Sequence, residues 1–149
     1  MIELHPTAAA TVLLVGHGSR KREGNAEIEA FAELWRVRHP DWRILVCFIE
    51  YADVLLADGL ERAAQGARRV VVVPFILNAA GHVKMEIPAA LEHARAAHPE
   101  VEFVLARHRG MGRDVGTVLQ ARLAGLMREL AVPDPQTTGV ILLGRGSSD

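Results

Sequence analysis

The 149 residues, 50% hydrophobic and 23% charged, have the composition of an ordered domain with a core of its own, not of a disordered chain. Lys and Arg total 17 against 18 Asp and Glu, and a net charge of −1 leaves no general basic field for nucleic acid. One cysteine, Cys47, excludes an internal disulfide or a multi-cysteine metal site within the chain, and no apolar run approaches the roughly 18 residues of a membrane span. Met1–Thr11 carries Glu3 and lacks the basic start of a signal peptide, so the reading is cytoplasmic. Aromatics are only 5%, so Ala, Val, Leu and Ile must build the core. Arg greatly outnumbers Lys, which reads as genome bias.

Strand and helix patterns alternate along the chain. Val12–Val15 is a short apolar run ended by Gly16, the mark of a buried strand. From Gly24 to Val37, apolar residues recur at helical spacing between Glu27, Glu29 and Glu33. His39-Pro40 stops that helix, because a residue before proline disfavours the helical region. Arg43–Ile49 predicts a second strand, and Asp53–Gln65 a second helix closed by Gly66. Arg69–Phe75, β-branched and unbroken to Pro74, is the clearest strand. After a neutral loop over Ile76–Gly81, Lys84–Ala97 predicts a third helix with Pro88 tolerable in its first turn, and His98-Pro99 ends it. Val101–Ala106 is a fourth strand and Asp114–Leu130 a fourth helix. Gly139–Leu143 reads as a last strand. Four β-α units predict an α/β fold: an open parallel sheet with helices on both faces.

The end of the chain echoes its start. Val140-Ile-Leu-Leu-Gly-Arg-Gly-Ser147 repeats the pattern of Val12-Leu-Leu-Val-Gly-His-Gly-Ser19 at an offset of 140 − 12 = 128. The expected organisation is one module over 1–131, a linker over 132–138, and the start of a similar, truncated module or a C-terminal strand over 139–149.

The candidate chemistry lies after the strands. In an open parallel sheet ligands bind outside the carboxyl ends of the strands. His17, in Gly16-His-Gly-Ser-Arg20, follows the first strand, Glu50 the second, and His82, in Gly81-His-Val-Lys84, the third. Each alone is an ordinary surface or cap residue. Together, two imidazoles and a carboxylate suit a divalent first-row metal or a proton acceptor. Ser19, Arg20, Lys84, Arg107 and Arg109 border the same edge, and the cations among them suit a substrate with several carboxylates. His5, His39, His93 and His98 read as surface, and His108 as a residue of the rim. Cys47 reads as an inert core residue. Lys21 stands where a dinucleotide fingerprint needs its third glycine, and no Walker A or nucleophile elbow is found.

Leu13-Leu-Val-Gly-His-Gly-Ser-Arg20, Glu50, and Val71-Val-Val-Pro-Phe-Ile-Leu77 leading to Gly81-His-Val-x-x-x-Ile-Pro88 resemble the sirohydrochlorin chelatases, the CbiX/SirB group, over about residues 11–130. The resemblance implies a class II chelatase, flavodoxin-like module that inserts Co²⁺ into sirohydrochlorin in cobalamin biosynthesis. The alternatives with the same residues are Fe²⁺ for siroheme and Ni²⁺. It implies His17 and His82 as metal ligands and catalytic residues, with Glu50 as their acidic catalytic partner and Glu86 as a further acidic candidate. It implies no organic cofactor, the metal being substrate, and a homodimer or a second module in the same chain to close the cleft. Arg145 replaces the histidine in the second run, so that run supplies no metal ligand. A non-catalytic tetrapyrrole or metal carrier and a phosphate binder at Gly16–Ser19 are the readings of other classes.

Overall fold

The computed structural model describes residues 10–76, 85–107, 112–130, 134, 136–141 and 143. The elements run β1 (Ala10–Gly16), α1 (Arg22–Arg38), β2 (Arg43–Phe48), α2 (Leu56–Ala64), β3 (Arg69–Pro74), α3 (Ile87–Ala97), β4 (Glu102–Leu105) and α4 (Arg113–Glu129). The four strands form one sheet in the order β2-β1-β3-β4. All pairs are parallel, with Val12 opposite Ile44 on one side and Val71 on the other. The predicted α/β architecture is therefore the observed one, with the first four predicted strands and the four helices shifted by at most three residues at either end.

The sheet holds because β1 is buried at every position, as a strand flanked on both edges and covered on both faces must be. Alternation sends Leu13 and Val15 into a core with Leu56, Leu60 and Ala63 of α2 and Ile87 and Leu91 of α3. It sends Val12 and Leu14 to the opposite face, against Ala32 of α1 with Phe31 and Trp35 beside it. Helices thus cover both faces, α1 on one and α2 and α3 on the other. Leu34 and Val37, which the periodicity counts as apolar helix positions, are 63% and 78% exposed, so the true buried stripe of α1 runs through Ile28, Ala32 and Trp35.

Two helix-to-strand turns are built alike. The His39 N–H donates to Trp35 O at 2.9 Å and the Trp42 N–H to His39 O at 3.0 Å; the His98 N–H donates to Ala94 O at 2.9 Å and the Val101 N–H to His98 O at 3.0 Å. The proline after each histidine cannot continue the helix, so the chain turns directly into β2 and β4. Neither histidine is a plain surface residue. The His39 ring stacks on Trp42 at 4.1 Å between centroids, and half-buried His98 bonds Glu61 of α2 through Nε2 at 2.7 Å. Three arginines also have structural uses that genome bias does not describe. Arg43 donates to the α2-end carbonyls of Arg62 and Gln65 at 2.9 and 2.6 Å, Arg36 to Ile44 O, and Arg95 to Phe103 O.

Residues 1–109 and 110–149 are two compact units. In the second, α4 is amphipathic by sequence and exposes Val118, Leu119, Leu123 and Leu126. Asp134 forms a turn there, accepting from the Gln136 N–H through its carboxylate at 2.9 Å and from the Thr137 N–H through its carbonyl at 3.1 Å. Residues 139–141 and 143 carry no strand, since a strand needs a ladder partner. No helix of the described residues is long and apolar enough to cross a membrane.

Cys47 is fully buried, and burial pushes its thiol up to about 12, so it is inert as the sequence implied. Gly59 of α2 lies directly on it: an added Cβ would stand 2.4 Å from Cys47 Cβ and 2.7 Å from Sγ. Gly59→Ala is therefore expected to cost about 1–3 kcal/mol through overpacking, despite alanine's better helix propensity, read as a lower Tm by circular dichroism. A second expectation concerns pH. The hydrogen bond to the Glu61 carboxylate raises the His98 pKa above its ordinary value, an effect that desolvation opposes and Glu100 assists. A raised folded-state pKa stabilises fully below the unfolded value and is lost as pH rises through the folded one. His98→Gln should thus cost more stability near pH 5 than near pH 9, measured by urea denaturation at the two values.

Candidate active site

The strand order changes direction at β1, with β2 on one side and β3 on the other. The connections leaving β1 and β3 part there, to β2 through α1 and to β4 through α3, and in such a sheet ligands bind outside the carboxyl ends of the strands. The ladder does not stop where the strands do. The Ile49 N–H donates to Gly16 O and the Glu50 N–H to His17 O, each at 3.0 Å. These bonds carry the β1–β2 register outward and set His17 beside Glu50. His17 Nδ1 and Glu50 Oε1 are 3.5 Å apart, and the two side chains are 45% and 37% exposed. The pair is open to a ligand from outside and held by backbone from below.

Gly18 makes this approach possible. Its φ is +96°, and a Cβ there would stand 1.6 Å from the Glu50 carbonyl oxygen. Glu50 leads into Tyr51, which holds φ +53°, a conformation that costs a non-glycine residue about 1–2 kcal/mol. Two contacts hold Tyr51 in place. Arg20 Nη2 donates to its hydroxyl at 3.1 Å while the guanidinium sits 4.8 Å from the ring centroid, and Asn25 Nδ2 donates to its carbonyl at 2.9 Å. The hydroxyl bond raises the Arg20 pKa further, so the guanidinium stays charged.

The structure thus brings together His17, Glu50, Ser19 and Arg20 of the sequence-predicted residues. Ser19 has a local structural bond, its Oγ accepting the Lys21 N–H at 3.1 Å where α1 begins. Glu86 precedes α3 and Arg107 follows β4; both are exposed and belong to connections on the carboxyl side of the sheet. His82, Lys84, Arg109 and His108 lie outside the described residues. Tyr51 and Asn25 went unread in the sequence. Nothing in the residue type of Tyr51 signals a left-handed backbone. Asn25 did leave a trace, because it extends the Ile28, Ala32, Trp35 stripe back by one turn and puts an amide where the pattern calls for an apolar side chain.

An imidazole and a carboxylate so placed can offer a nitrogen and an oxygen to a divalent ion, or pass a proton between them. Among the described residues, no group of three or more His, Cys, Asp or Glu side chains could hold a metal by itself. A separate cavity of about 380 Å³ is lined by Arg22, Asn25, Glu29, Phe48, Tyr51 and Asp53 among others, and neither His17 nor Glu50 lines it.

Comparison with known proteins shows the family. The CbiX family model matches residues 11–126. The chain belongs to the CbiX family. It is 40% identical over 144 residues to a sirohydrochlorin cobaltochelatase of Priestia megaterium, covering 93% of this chain and 45% of the relative. It is 35% identical over 140 residues to a sirohydrochlorin ferrochelatase of the same organism, covering 93% of this chain and 51% of the relative. The crystal structure of the sirohydrochlorin chelatase SirB from Bacillus subtilis subspecies spizizenii in complex with cobalt superposes with a TM-score of 0.71 at 27% identity, over 79% of this chain and 51% of that one. This CbiX-family chain therefore spans about half the length of these three relatives, and its fold is that of the class II chelatases.

Gly18→Ala tests the close approach of the two loops. With a φ of +96° and a 1.6 Å clash against backbone, it is expected to cost about 2 kcal/mol or more in urea denaturation. Gly116→Ala, where a Cβ would meet nothing within 4 Å, is expected to be neutral or stabilising by about 0.5–1 kcal/mol.

Proposed function

We propose that this chain is the metal-handling module of a sirohydrochlorin chelatase, inserting a divalent metal ion into the tetrapyrrole. The observation that carries the proposal is the His17–Glu50 pair, 3.5 Å apart and open at the carboxyl edge of a CbiX-family sheet. Insertion requires that the macrocycle give up two pyrrole N–H protons as the ion enters. A neutral imidazole can hold the incoming ion through one nitrogen, and Glu50 is close enough to orient that ring or accept a proton from it. By the family resemblance His82 supplies the second imidazole, with Glu86 as a lesser acidic candidate. Arg20, Lys84, Arg107 and Arg109 are proposed to meet the substrate carboxylates, with Ser19 shaping the loop that carries Arg20. No organic cofactor is required, because the metal is itself a substrate.

Cobalt is the favoured metal, on the strength of the 40% identical cobaltochelatase relative. The 35% identical ferrochelatase relative supports Fe²⁺ through the same donors, since nitrogen and oxygen ligands of this kind separate Co, Fe and Ni poorly. The proposal includes a second module over the same edge, either a second copy or one joined through residues 132–138. The run from Val140, so like the run from Val12, supports the joined form. The reaction is placed in the cytoplasm.

The test is anaerobic metallation of sirohydrochlorin followed by absorbance, with Co²⁺, Fe²⁺ and Ni²⁺ in parallel. The wild-type chain should accelerate insertion over the protein-free rate. His17→Ala and His82→Ala should each lower the rate by about 10²-fold or more, and Glu50→Gln should lower it by a similar order. Activity should fall at acid pH, because a protonated imidazole cannot bind a metal. Binding of sirohydrochlorin without acceleration by any metal would overturn the enzyme reading in favour of a carrier.

A further inference from the structure

We infer that Asn25 is a positioning residue for this site, a clamp that holds the Glu50–Tyr51 turn against the Gly18–Ser19 turn. The inference rests on the chelatase reading only for its effect on rate. Its structural basis is independent of that reading. Asn25 lies in the first turns of α1, on the same stripe as Ile28, Ala32 and Trp35. Its Nδ2 has two hydrogens, and both are spent on main-chain carbonyls from different loops: Tyr51 O at 2.9 Å and Ser19 O at 3.3 Å. Those carbonyls flank the reacting pair, one residue after Glu50 and two after His17.

The other polar atom shows what the amide is for. Asn25 Oδ1 is buried and has no hydrogen-bond partner among the described residues. A buried acceptor without a donor is unfavourable, and an apolar side chain would fill the stripe without that penalty. An amide is therefore explained by its two donors. The orientation is fixed by the same chemistry, since a reversed amide would aim its oxygen at two carbonyl oxygens. Asp has nearly the same shape but no N–H to give, so a carboxylate there would face two acceptors. Tyr51 makes the clamp necessary. Its left-handed backbone would relax if released, carrying Glu50 with it, and the remaining tie on its side is the exposed Arg20–Tyr51 contact.

The experiment is a double-mutant cycle with Asn25→Asp and Glu50→Gln, joined to amide hydrogen exchange on the same proteins. If Asn25 acts through Glu50, Asn25→Asp lowers kcat by about 10²-fold, the cost of a misplaced reacting group. KM for sirohydrochlorin should change by less than about threefold, and in the Glu50→Gln background the same substitution should cost less than about threefold further. Exchange at the Ile49 and Glu50 amides should rise about tenfold or more, while the β3 amides keep their protection. Asn25→Ala is the second variant, without the added charge, and should give the same exchange pattern. Additive losses in the cycle, or faster exchange throughout the sheet, would assign Asn25 a general structural role and overturn the inference. Unchanged exchange at Ile49 and Glu50 would overturn it too. If the wild-type chain does not accelerate metallation, the chelatase reading fails on that arm, and the exchange arm alone decides the clamp.

Discussion

The continuation of the β1 ladder past the ends of its strands is the interaction on which the rest of the molecule depends. β1 is paired on both edges and buried on both faces, so its register with β2 and β3 has no freedom to slip. Three further bonds leave the same sheet at its carboxyl edge, from Ile49 to Gly16, from Glu50 to His17, and from Phe75 to Val15. Each extends the register by a step into what would otherwise be loop. Loops are usually where precision is lost; here the first residues after β1, β2 and β3 inherit the order of the core.

The packed core and the half-exposed polar edge differ in how their backbone is held. The interior holds Leu13, Cys47, Leu60, Val70 and Ile87, packed so closely that even Gly59 has no room for a methyl group. At the carboxyl edge lie polar groups that are half exposed, and a glycine and a tyrosine with positive φ. Strained backbone persists only where surrounding structure over-determines it. Here that support comes from Asn25 and Arg20 on one side and from the extended ladder on the other.

The fold was legible in the sequence because its elements obey simple periods. The unbroken Val70–Val73 run, the His-Pro stops and the glycine after Val15 each have one physical reading. The site was legible in part. His17 and Glu50 could be put on one edge from topology, and the resemblance joined them. Their separation, and the way backbone bonds bring it about, could not be read, because parallel register is a tertiary property. Ser19 and Arg20 looked like ligands by position, yet each also has a bond within the protein. His98 lies at the surface as read, but its tie to Glu61 could not be read, because that partner is 37 residues away in the chain. Tyr51 was invisible because backbone handedness at a non-glycine residue is imposed by neighbours, not by its own side chain.

The two ladder bonds that set His17 beside Glu50 use only main-chain atoms. The distance between the two positions is consequently independent of which side chains occupy them. A lineage could exchange donors at this edge, one imidazole or carboxylate for another, without rebuilding the loops that present them. The spacing at this edge thus belongs to the sheet, and the sheet acts as a socket that outlasts any particular set of contacts.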